Sequence, residues 1–369
     1  MTSSKLIALI RGRFGQTGER ASKRRAADKY DRSLMRGLTL TELMISMVLG
    51  LVVVGGVMQV FLTTQETYQM REAVSRVQES GRLAVSIISQ EARQAGYSGC
   101  ASGEITNFLD PDGDGYDEAL HGFESAFRGF PEANVPEWLE HHVRGDALVV
   151  VNAAGAAGNS VTVENMDQPG DSHIIHLPDG TEFESPQGTI IFISNCQGEG
   201  GDVFQDGSQA AKTINRHHGQ NISPGNKHGS HHWSRDYSGT FEIMTVGIMA
   251  YYIGESDAGD GTTSLRHINM AVADPVDIEL VDGIHDMRLE FGLDTNGDGQ
   301  INTFTNAAGV ADWREAAAVR VHLLGYSSGA DLVVDEPQTL QFAGANFTAP
   351  DRRMYQVFTT SVAARNLLQ

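Results

Sequence analysis

Glu42 is a lone carboxylate at the start of a long uncharged apolar segment, residues 43–65. A charge at the edge of an apolar helix is costly, so such a group is usually paired or functional. The alternative is a glutamate that merely sits in the headgroup layer of a membrane. Gly37 lies five residues before Glu42 and follows a basic stretch. This combination favours a dedicated role for the segment from Gly37 to Glu42.

A second group of oxygen-bearing side chains alternates along residues 294–302. Gly299 stands where an EF-hand calcium loop turns sharply, but Thr305 stands where that loop has its bidentate glutamate. The affinity should therefore be modest unless Asp312 or a distant carboxylate completes the shell. The alternative is an Asp/Asn/Gly turn between strands. The pattern favours calcium, and the predicted ligands are Asp294, Asn296, Asp298, Gln300 and Asn302.

A weaker candidate of the same kind lies near residue 110. His121 occupies the last position of this loop, and no flanking helices are evident. Calcium binding and a plain acidic loop remain open here. The candidate ligands are Asp110, Asp112, Asp114 and Tyr116.

Histidines cluster in the Gly/Asn/Ser-rich segment 215–235. Imidazole is a common ligand of transition metals, but the spacing matches no zinc motif and lacks cysteine. We therefore predict a solvated loop that could serve as a partner surface. Its histidines are His217, His218, His228, His231 and His232.

Motifs of catalysis are missing from the sequence. It has no Gly-x-Ser-x-Gly elbow, no phosphate-binding loop and no dinucleotide fingerprint. We predict that the protein is not an enzyme.

Charge is distributed unevenly along the 369 residues. Residues 1–37 hold ten basic and three acidic side chains, a balance of +7, whereas the rest of the chain carries −27. An acidic body of this size repels nucleic acid phosphates and is compatible with binding divalent cations.

Residues 43–65 form a candidate membrane span. As a helix they cover roughly 34 Å, enough to cross the hydrocarbon core. The basic flank before them places the N-terminus in the cytoplasm and the acidic body outside. A secretory signal peptide fits poorly, because the apolar core is long and no small-residue cleavage site follows it. An ordinary single-pass anchor would explain everything except Glu42.

The helical pattern continues beyond the apolar segment. Small or apolar residues recur at helical spacing from Met70 to Ala95, with Glu72 and Arg76 on the opposite face. One helix over residues 38–95 would be roughly 87 Å long. Gly81 marks a place of close packing or of local unwinding.

The remainder, residues 96–369, reads as a β-rich globular domain. Candidate strands cover residues 146–151, 160–164, 189–194, 241–253, 284–293, 316–326 and 355–363. We predict an α+β fold in which the long helix packs on a large antiparallel sheet, with two sub-sheets as a variant. The predicted divisions are a leader at 1–37, the helix at 38–95 and the body at 96–369.

The N-terminal pattern resembles the class III signal of type IV pilins and type II secretion pseudopilins. The resemblance implies that a prepilin peptidase cuts between Gly37 and Leu38, that the new N-terminus is methylated, and that Glu42 becomes the fifth residue of the mature chain. Glu42 would then pair with the α-ammonium of a neighbouring subunit and set the stagger of a filament. Leu38 replaces the phenylalanine usual in major pilins, which points to a minor component.

Further segments resemble the minor pilins of the PilW family. They are Gln78-Glu79-Ser80-Gly81-Arg82, Ala95-Gly96-Tyr97-Ser98-Gly99-Cys100, Ser194-Asn195-Cys196, Asp202-Val203-Phe204, Val281-Asp282-Gly283-Ile284, Phe291-Gly292-Leu293-Asp294, Ala318-Val319-Arg320-Val321, and Tyr355 to Ala364-Arg365-Asn366. The resemblance implies a low-abundance pilin without enzymatic activity that joins a priming complex, starts filament assembly and lies near the tip.

Cys100 and Cys196 are the only cysteines in the sequence. In an oxidising periplasm an isolated pair is bridged more often than free, so we predict a disulfide between them. Such a bridge would tie the end of the helix to the strand at 189–194.

The implied location is the inner membrane, with a periplasmic body, and then the pilus filament and cell surface. The implied partners are other minor pilins, the major pilin, prepilin peptidase and a tip adhesin. Two alternatives remain: a type II secretion pseudopilin, and a membrane-tethered calcium-binding module or hydrolase that acts alone.

Overall fold

The computed structural model describes residues 39–101, 103–123, 125–153, 160–166, 173–195, 200–208, 210–217, 222–229, 232–327 and 333–364. The chain divides into two compact units, Met1–Phe61 and Leu62–Gln369. Helix α1, Leu40–Gln94, begins in the first unit and ends in the second. The predicted long helix is therefore present, and no interruption falls at Gln59.

In the first unit, every described residue of α1 is solvent-exposed. Leucine, valine and methionine dominate this part, and Glu42 is its only charged residue. This part of α1 therefore has an exposed surface that is largely apolar.

In the second unit, α1 is amphipathic and buries one stripe. The buried positions follow helical spacing and match the predicted stripe, although Met70 at its start is exposed. Small residues predominate on this stripe, which lets the helix approach the sheet closely. The buried residues are Ala73, Val77, Gly81, Ala84, Ile88, Ser89 and Ala92.

The rest of the second unit is β-rich, with one further short helix, α2, at Glu118–His121. The described strands are β1 Ile105–Asn107, β2 Phe127–Phe130, β3 His142–Asn152, β4 Ser160–Met166, β5 Ile174–His176, β6 Ile190–Ser194, β7 Gly201–Gln205, β8 Thr213–Asn215, β9 Gly239–Thr245, β10 Gly247–Glu255, β11 Thr263–Asn269, β12 Asp277–Asp282, β13 Ile284–Leu293, β14 Thr303–Asn306, β15 Ala316–Tyr326, β16 Thr339–Phe342, β17 Ala345–Thr348 and β18 Tyr355–Ala363.

Three larger sheets and two small ones organise these strands. The first sheet has the order β1-β7-β6-β9-β4, the second β12-β11-β10-β3-β2, and the third β14-β13-β15-β18. Strands β5 and β8 form one small sheet, and β16 and β17 form the other. All pairings are antiparallel except that of β1 with β7.

The second sheet is the middle layer of the body. Along β10, Met249 and Tyr251 lie in the core that α1 and the third sheet also line. The alternate residues Ile248, Ala250 and Tyr252 lie in the core shared with the first sheet. Strands buried on both faces need continuous apolar runs, and these strands have them.

The first sheet is likewise buried on both faces. Phe192 of β6 contributes to the core shared with the second sheet. Its neighbours Ile191 and Ile193 contribute to a third core, together with Ile175 of β5 and Ile214 of β8. The small β5–β8 sheet therefore covers the outer face of the first sheet.

The predicted α+β class is confirmed, and all seven predicted strand regions contain strands. The prediction of one strand over residues 241–253 is wrong, because the chain leaves the first sheet at Thr245 and enters the second at Gly247. Val246, between them, is buried and still donates its N–H to Ile190 O at 2.9 Å. The single apolar run hides this change of sheet.

Gly81 marks close packing within an unbroken helix. A Cβ at this position would collide with the ring of Phe358 on β18. Eight residues along the helix, Ser89 Oγ lies 3.3 Å from Thr360 Oγ1 of the same strand. Glycine thus allows α1 to lie directly against the third sheet.

We predict that Gly81→Val lowers the free energy of unfolding by about 1–3 kcal/mol, the usual cost of overpacking. The measurement is urea unfolding of the purified chain. Ser86→Val, at an exposed position of the same helix, is the control and should stay within about 0.5 kcal/mol. Adding Phe358→Ala to Gly81→Val should cost less than the sum of the single changes. Equal losses at positions 81 and 86 would contradict close packing at Gly81.

Candidate functional site

The start of α1 lies next to the predicted processing site. Gly37 and Leu38 lie outside the described residues, and the description begins at Thr39. Thr39 Oγ1 accepts a hydrogen bond from the backbone N–H of Glu42 at 3.3 Å. Threonine is a favoured N-cap residue because its side chain satisfies an otherwise unpaired N–H of the first turn. The helix therefore begins within a few residues of Gly37.

Glu42 lies in the first turn of α1 and is exposed. A carboxylate is favourable there because the N-terminus of a helix carries partial positive charge. The backbone carbonyl of Glu42 accepts a bond from Ser46 Oγ at 2.7 Å. Glu42 thus presents a single negative charge on an otherwise apolar surface.

The apolar part of α1 has the dimensions of a membrane span. Its most apolar 18-residue window has a mean hydropathy of 2.3 and no buried residue. In the part of the chain that the structure describes, α1 alone is long and apolar enough to cross a membrane. This helix is compatible with single-pass membrane anchoring.

The loop from Asp294 to Asn302 connects β13 with β14 in a hairpin. Both carboxylate oxygens of Asp294 point into the loop, and they accept bonds at 2.8 Å from the N–H groups of Gly297 and Gly299. Partial desolvation opposes ionisation of Asp294, but these backbone donors outweigh it and hold its pKa below the usual value. Hydrogen bonds within the loop therefore order it. It joins two strands, whereas an EF-hand loop joins two helices.

The other predicted ligands of this loop are also engaged with the loop itself. Asp298 Oδ1 accepts from Gln300 N at 2.9 Å, and Asn302 Oδ1 accepts from Thr295 N at 2.7 Å. Asn296 Nδ2 donates to Asp298 Oδ2 at 3.0 Å. The side chains are close together, with Asp294 and Asp298 the charged ones.

The loop near Asp110 is arranged differently. Asp110 Oδ1 accepts from Asp112 N at 3.1 Å, and Tyr116 OH donates to Glu118 Oε2 at 2.9 Å. His121 is buried at the end of α2, and its Nδ1 accepts the N–H of Asp117 at 3.0 Å. Burial lowers the pKa of His121 more than the nearby acidic groups raise it. The Nδ1 atom of His121 is thus already engaged at the start of its own helix.

Among the described residues, no three histidine, cysteine, aspartate or glutamate side chains are grouped so as to hold a metal ion. Calcium binding at either acidic loop remains a prediction.

The His-rich segment is partly anchored in the body, and the sequence did not reveal this. Asp202 of β7, which is fully buried, accepts from Ser234 N at 3.1 Å and from Arg235 Nη1 at 3.0 Å. Burial raises the pKa of Asp202 despite these donors. Tyr237 OH donates to Ile193 O at 3.2 Å. The end of this segment is therefore part of the folded body.

The start of the same segment is anchored by a buried cation. Arg216 is 2% exposed. Its guanidinium lies 3.9 Å from the ring centre of Phe108 and 4.8 Å from that of Trp233. The arginine and tryptophan that flank the histidines were the signal of this anchoring. His217, His228 and His232 are exposed or half-buried, and His218 and His231 lie outside the described residues.

Cys100 lies beside the strand predicted to carry its partner. Its Sγ is 3.6 Å from Ser194 Oγ at the end of β6. Cys196 lies outside the described residues, so the Cys100–Cys196 disulfide remains a prediction. The position of Cys100 is compatible with it.

The first part of α1 is apolar and exposed, and the second part is amphipathic and packs on a β-rich body. This is the architecture expected of a pilin-like subunit. Residues 250–366 match the family model PilW, "Type IV Pilus-assembly protein W". The resemblance to the PilW family found in the sequence is confirmed over this region of the chain. The match contains the whole third sheet, on which α1 packs. No curated protein and no solved structure matches the chain.

We predict that calcium raises the melting temperature of the purified chain relative to a chelator. Binding of one ion should add about 2.7 kcal/mol when free calcium is about 100 times the dissociation constant. Asp298→Ala should abolish the increase in melting temperature that is due to calcium in the hairpin loop. Asp112→Ala should abolish any increase that is due to calcium in the loop near Asp110. Asp294 is not the residue to change, because its loss would weaken the loop without calcium. Coincident melting curves would contradict both sites.

We predict that Asp202→Ala lowers the free energy of unfolding by about 3–5 kcal/mol, because it removes the partner of a largely buried guanidinium. The side chains of Asp202 and Arg235 are 0% and 12% exposed. Asp179→Ala, which removes the exposed partner of Lys212, is the control and should cost less than about 1 kcal/mol. The measurement is urea unfolding. Similar losses in both variants would show that Asp202 does not anchor the segment.

Proposed function

We propose that this protein is a minor pilin of a type IV pilus. It inserts in the inner membrane through α1, is cut between Gly37 and Leu38, helps to initiate pilus assembly and lies at the filament tip. The observation that carries the proposal is the PilW match over residues 250–366, in a chain whose helix starts just after the predicted cleavage site.

Glu42 is the residue to which the proposal gives an assembly role. Between Thr39 and Gln65 it is the only charged side chain. When such a helix packs among apolar helices of other subunits, an isolated carboxylate loses its hydration. Pairing with the α-ammonium at Leu38 of a neighbouring processed subunit would offset that loss. The pair would form only at one axial stagger, so it would select the register of the filament.

Charge supports the proposed orientation. The leader carries +7 and the remainder −27, and positively charged flanks stay on the cytoplasmic side. The body would then face the periplasm, where the predicted Cys100–Cys196 bridge can form. Processing by prepilin peptidase and methylation of the new N-terminus belong to the same proposal.

The proposed partners follow from these surfaces. The exposed apolar part of α1 would contact other minor pilins and the major pilin, and the body at the tip could carry an adhesin. A type II secretion pseudopilin would use the same N-terminal signal. The PilW match favours the pilus. The predicted lack of enzymatic activity remains part of the proposal.

We predict that Glu42→Ala abolishes incorporation into pili while leaving the subunit in the membrane. The reason is the loss of the carboxylate that would pair with the neighbouring N-terminus. Glu66→Ala removes the first acidic residue beyond the apolar segment and is the matched control, which should assemble normally. The measurement is the amount of this subunit in sheared pili and in the membrane fraction.

Incubation with prepilin peptidase tests the processing step separately. Wild type should lose about 4 kDa of its 39.9 kDa, the expected mass of a removed leader, and Gly37→Val should stay uncut. Normal assembly of Glu42→Ala, or an uncut wild-type chain, would overturn the proposal.

A further inference from the structure

Two histidines from distant parts of the sequence lie side by side on the body. The rings of His173 and His217 have their centres 4.3 Å apart at an interplanar angle of 50°. Both side chains are half-buried, so the pair is reachable from solvent. His173 lies outside the His-rich segment, and no sequence pattern predicts that the two residues are in contact.

The backbone explains why they meet. Strands β5 and β8 pair antiparallel with Ile174 opposite Asn215. One step further along the ladder, Arg216 N donates to His173 O at 3.0 Å. Asn215 Oδ1 accepts from His217 N at 2.9 Å. Backbone hydrogen bonds therefore fix the positions of both histidines relative to each other.

The separation of the two rings is close to that of two imidazoles bound to one metal ion. Zinc binds histidine nitrogens at about 2.0–2.1 Å, which places the centres of two bound rings on the order of 5 Å apart. The ring centres are now 4.3 Å apart, so the two rings would have to separate slightly and turn one nitrogen each toward a common ion. Imidazole suits zinc, copper and nickel, whereas calcium and magnesium prefer oxygen ligands.

Arg216 is a cation next to His217 in the chain, and its backbone N–H bonds to His173 O. Its side chain lies between the rings of Phe108 and Trp233, and its Nη2 donates to His232 O at 2.8 Å. Arg216 is buried, whereas the histidine pair is solvent-accessible. The guanidinium of Arg216 is thus stabilised in the core by the rings of Phe108 and Trp233 and by the carbonyl of His232.

We propose that His173 and His217 form a binding site for a divalent transition metal ion of the zinc, copper and nickel class. The two imidazoles supply two ligands, and water fills the other positions. A bound ion links the end of β8 to the start of β5, across the small sheet that covers the outer core at Ile175 and Ile214. The site is independent of the proposed pilus function and of the acidic loops.

The test uses the full chain in detergent. Zinc affinity is measured by competition with a chromophoric chelator, and the number of bound nitrogens by electron paramagnetic resonance of the copper(II) form. His173→Ala and His217→Ala should each weaken zinc binding at least tenfold, roughly the scale of a disturbed metal site. The copper spectrum should lose one imidazole nitrogen in each variant. His176→Ala, at an exposed position paired with Thr213 in the same sheet, should leave affinity and spectrum unchanged, and excess calcium should not compete.

His173 decides the outcome, because the His-rich segment alone would not need it. Unchanged affinity in His173→Ala would overturn the proposal even if His217→Ala weakened binding. Lack of saturable zinc binding by wild type would overturn it as well. If His173→Ala unfolds, as seen by circular dichroism without metal, His173→Gln takes its place with the same expected loss.

Discussion

Burial of both faces of the second sheet is the constraint on which the rest of the structure depends. Tyr252 and its alternate neighbours face the first sheet, and Tyr251 and its alternate neighbours face α1 and the third sheet. Strands buried on both faces, such as β10, have few positions open to solvent, so exposed functional groups lie mostly on loops and ends. Glu42, the acidic hairpin loop and the paired histidines all lie in such places.

The body divides into a part that holds the helix and a part that faces away from it. The PilW match covers residues 250–366. These include every strand of the third sheet and, in the second sheet, part of β10 with all of β11 and β12. Those strands form the surface against which Ala84, Ile88 and Ala92 pack. The first sheet and its cover lie before the match, and they carry the anchored His-rich segment. The matched region thus supplies much of the core on which α1 packs, together with Phe127, Leu148 and Val150 of strands that precede it.

The sequence predicts the elements that have a strong local period and misses those that depend on distant partners. Helix α1 and the strands β3, β13, β15 and β18 were found because apolar positions recur at regular spacing over many residues. The change of sheet at Val246 was missed, since a strand buried on both faces gives one apolar run whichever sheet it joins. The anchoring of Arg216 and Arg235 depends on Phe108 and Asp202, which lie in other segments, so Arg216 and Trp233 mark the segment in the sequence without showing what they contact. The Asp294 loop connects two strands of a hairpin. This position is compatible with both alternatives predicted from the sequence, a turn between strands and a calcium loop.

The single buried residue between β9 and β10 limits where this body can be cut or extended. A linker tolerates insertion, cleavage and new termini because few contacts depend on it. Val246 has the opposite character: its N–H belongs to the first sheet, its side chain to the core between two sheets, and its successor to the second sheet. The two sheets therefore form one structural unit at this point. A shortened version of this body should be cut elsewhere.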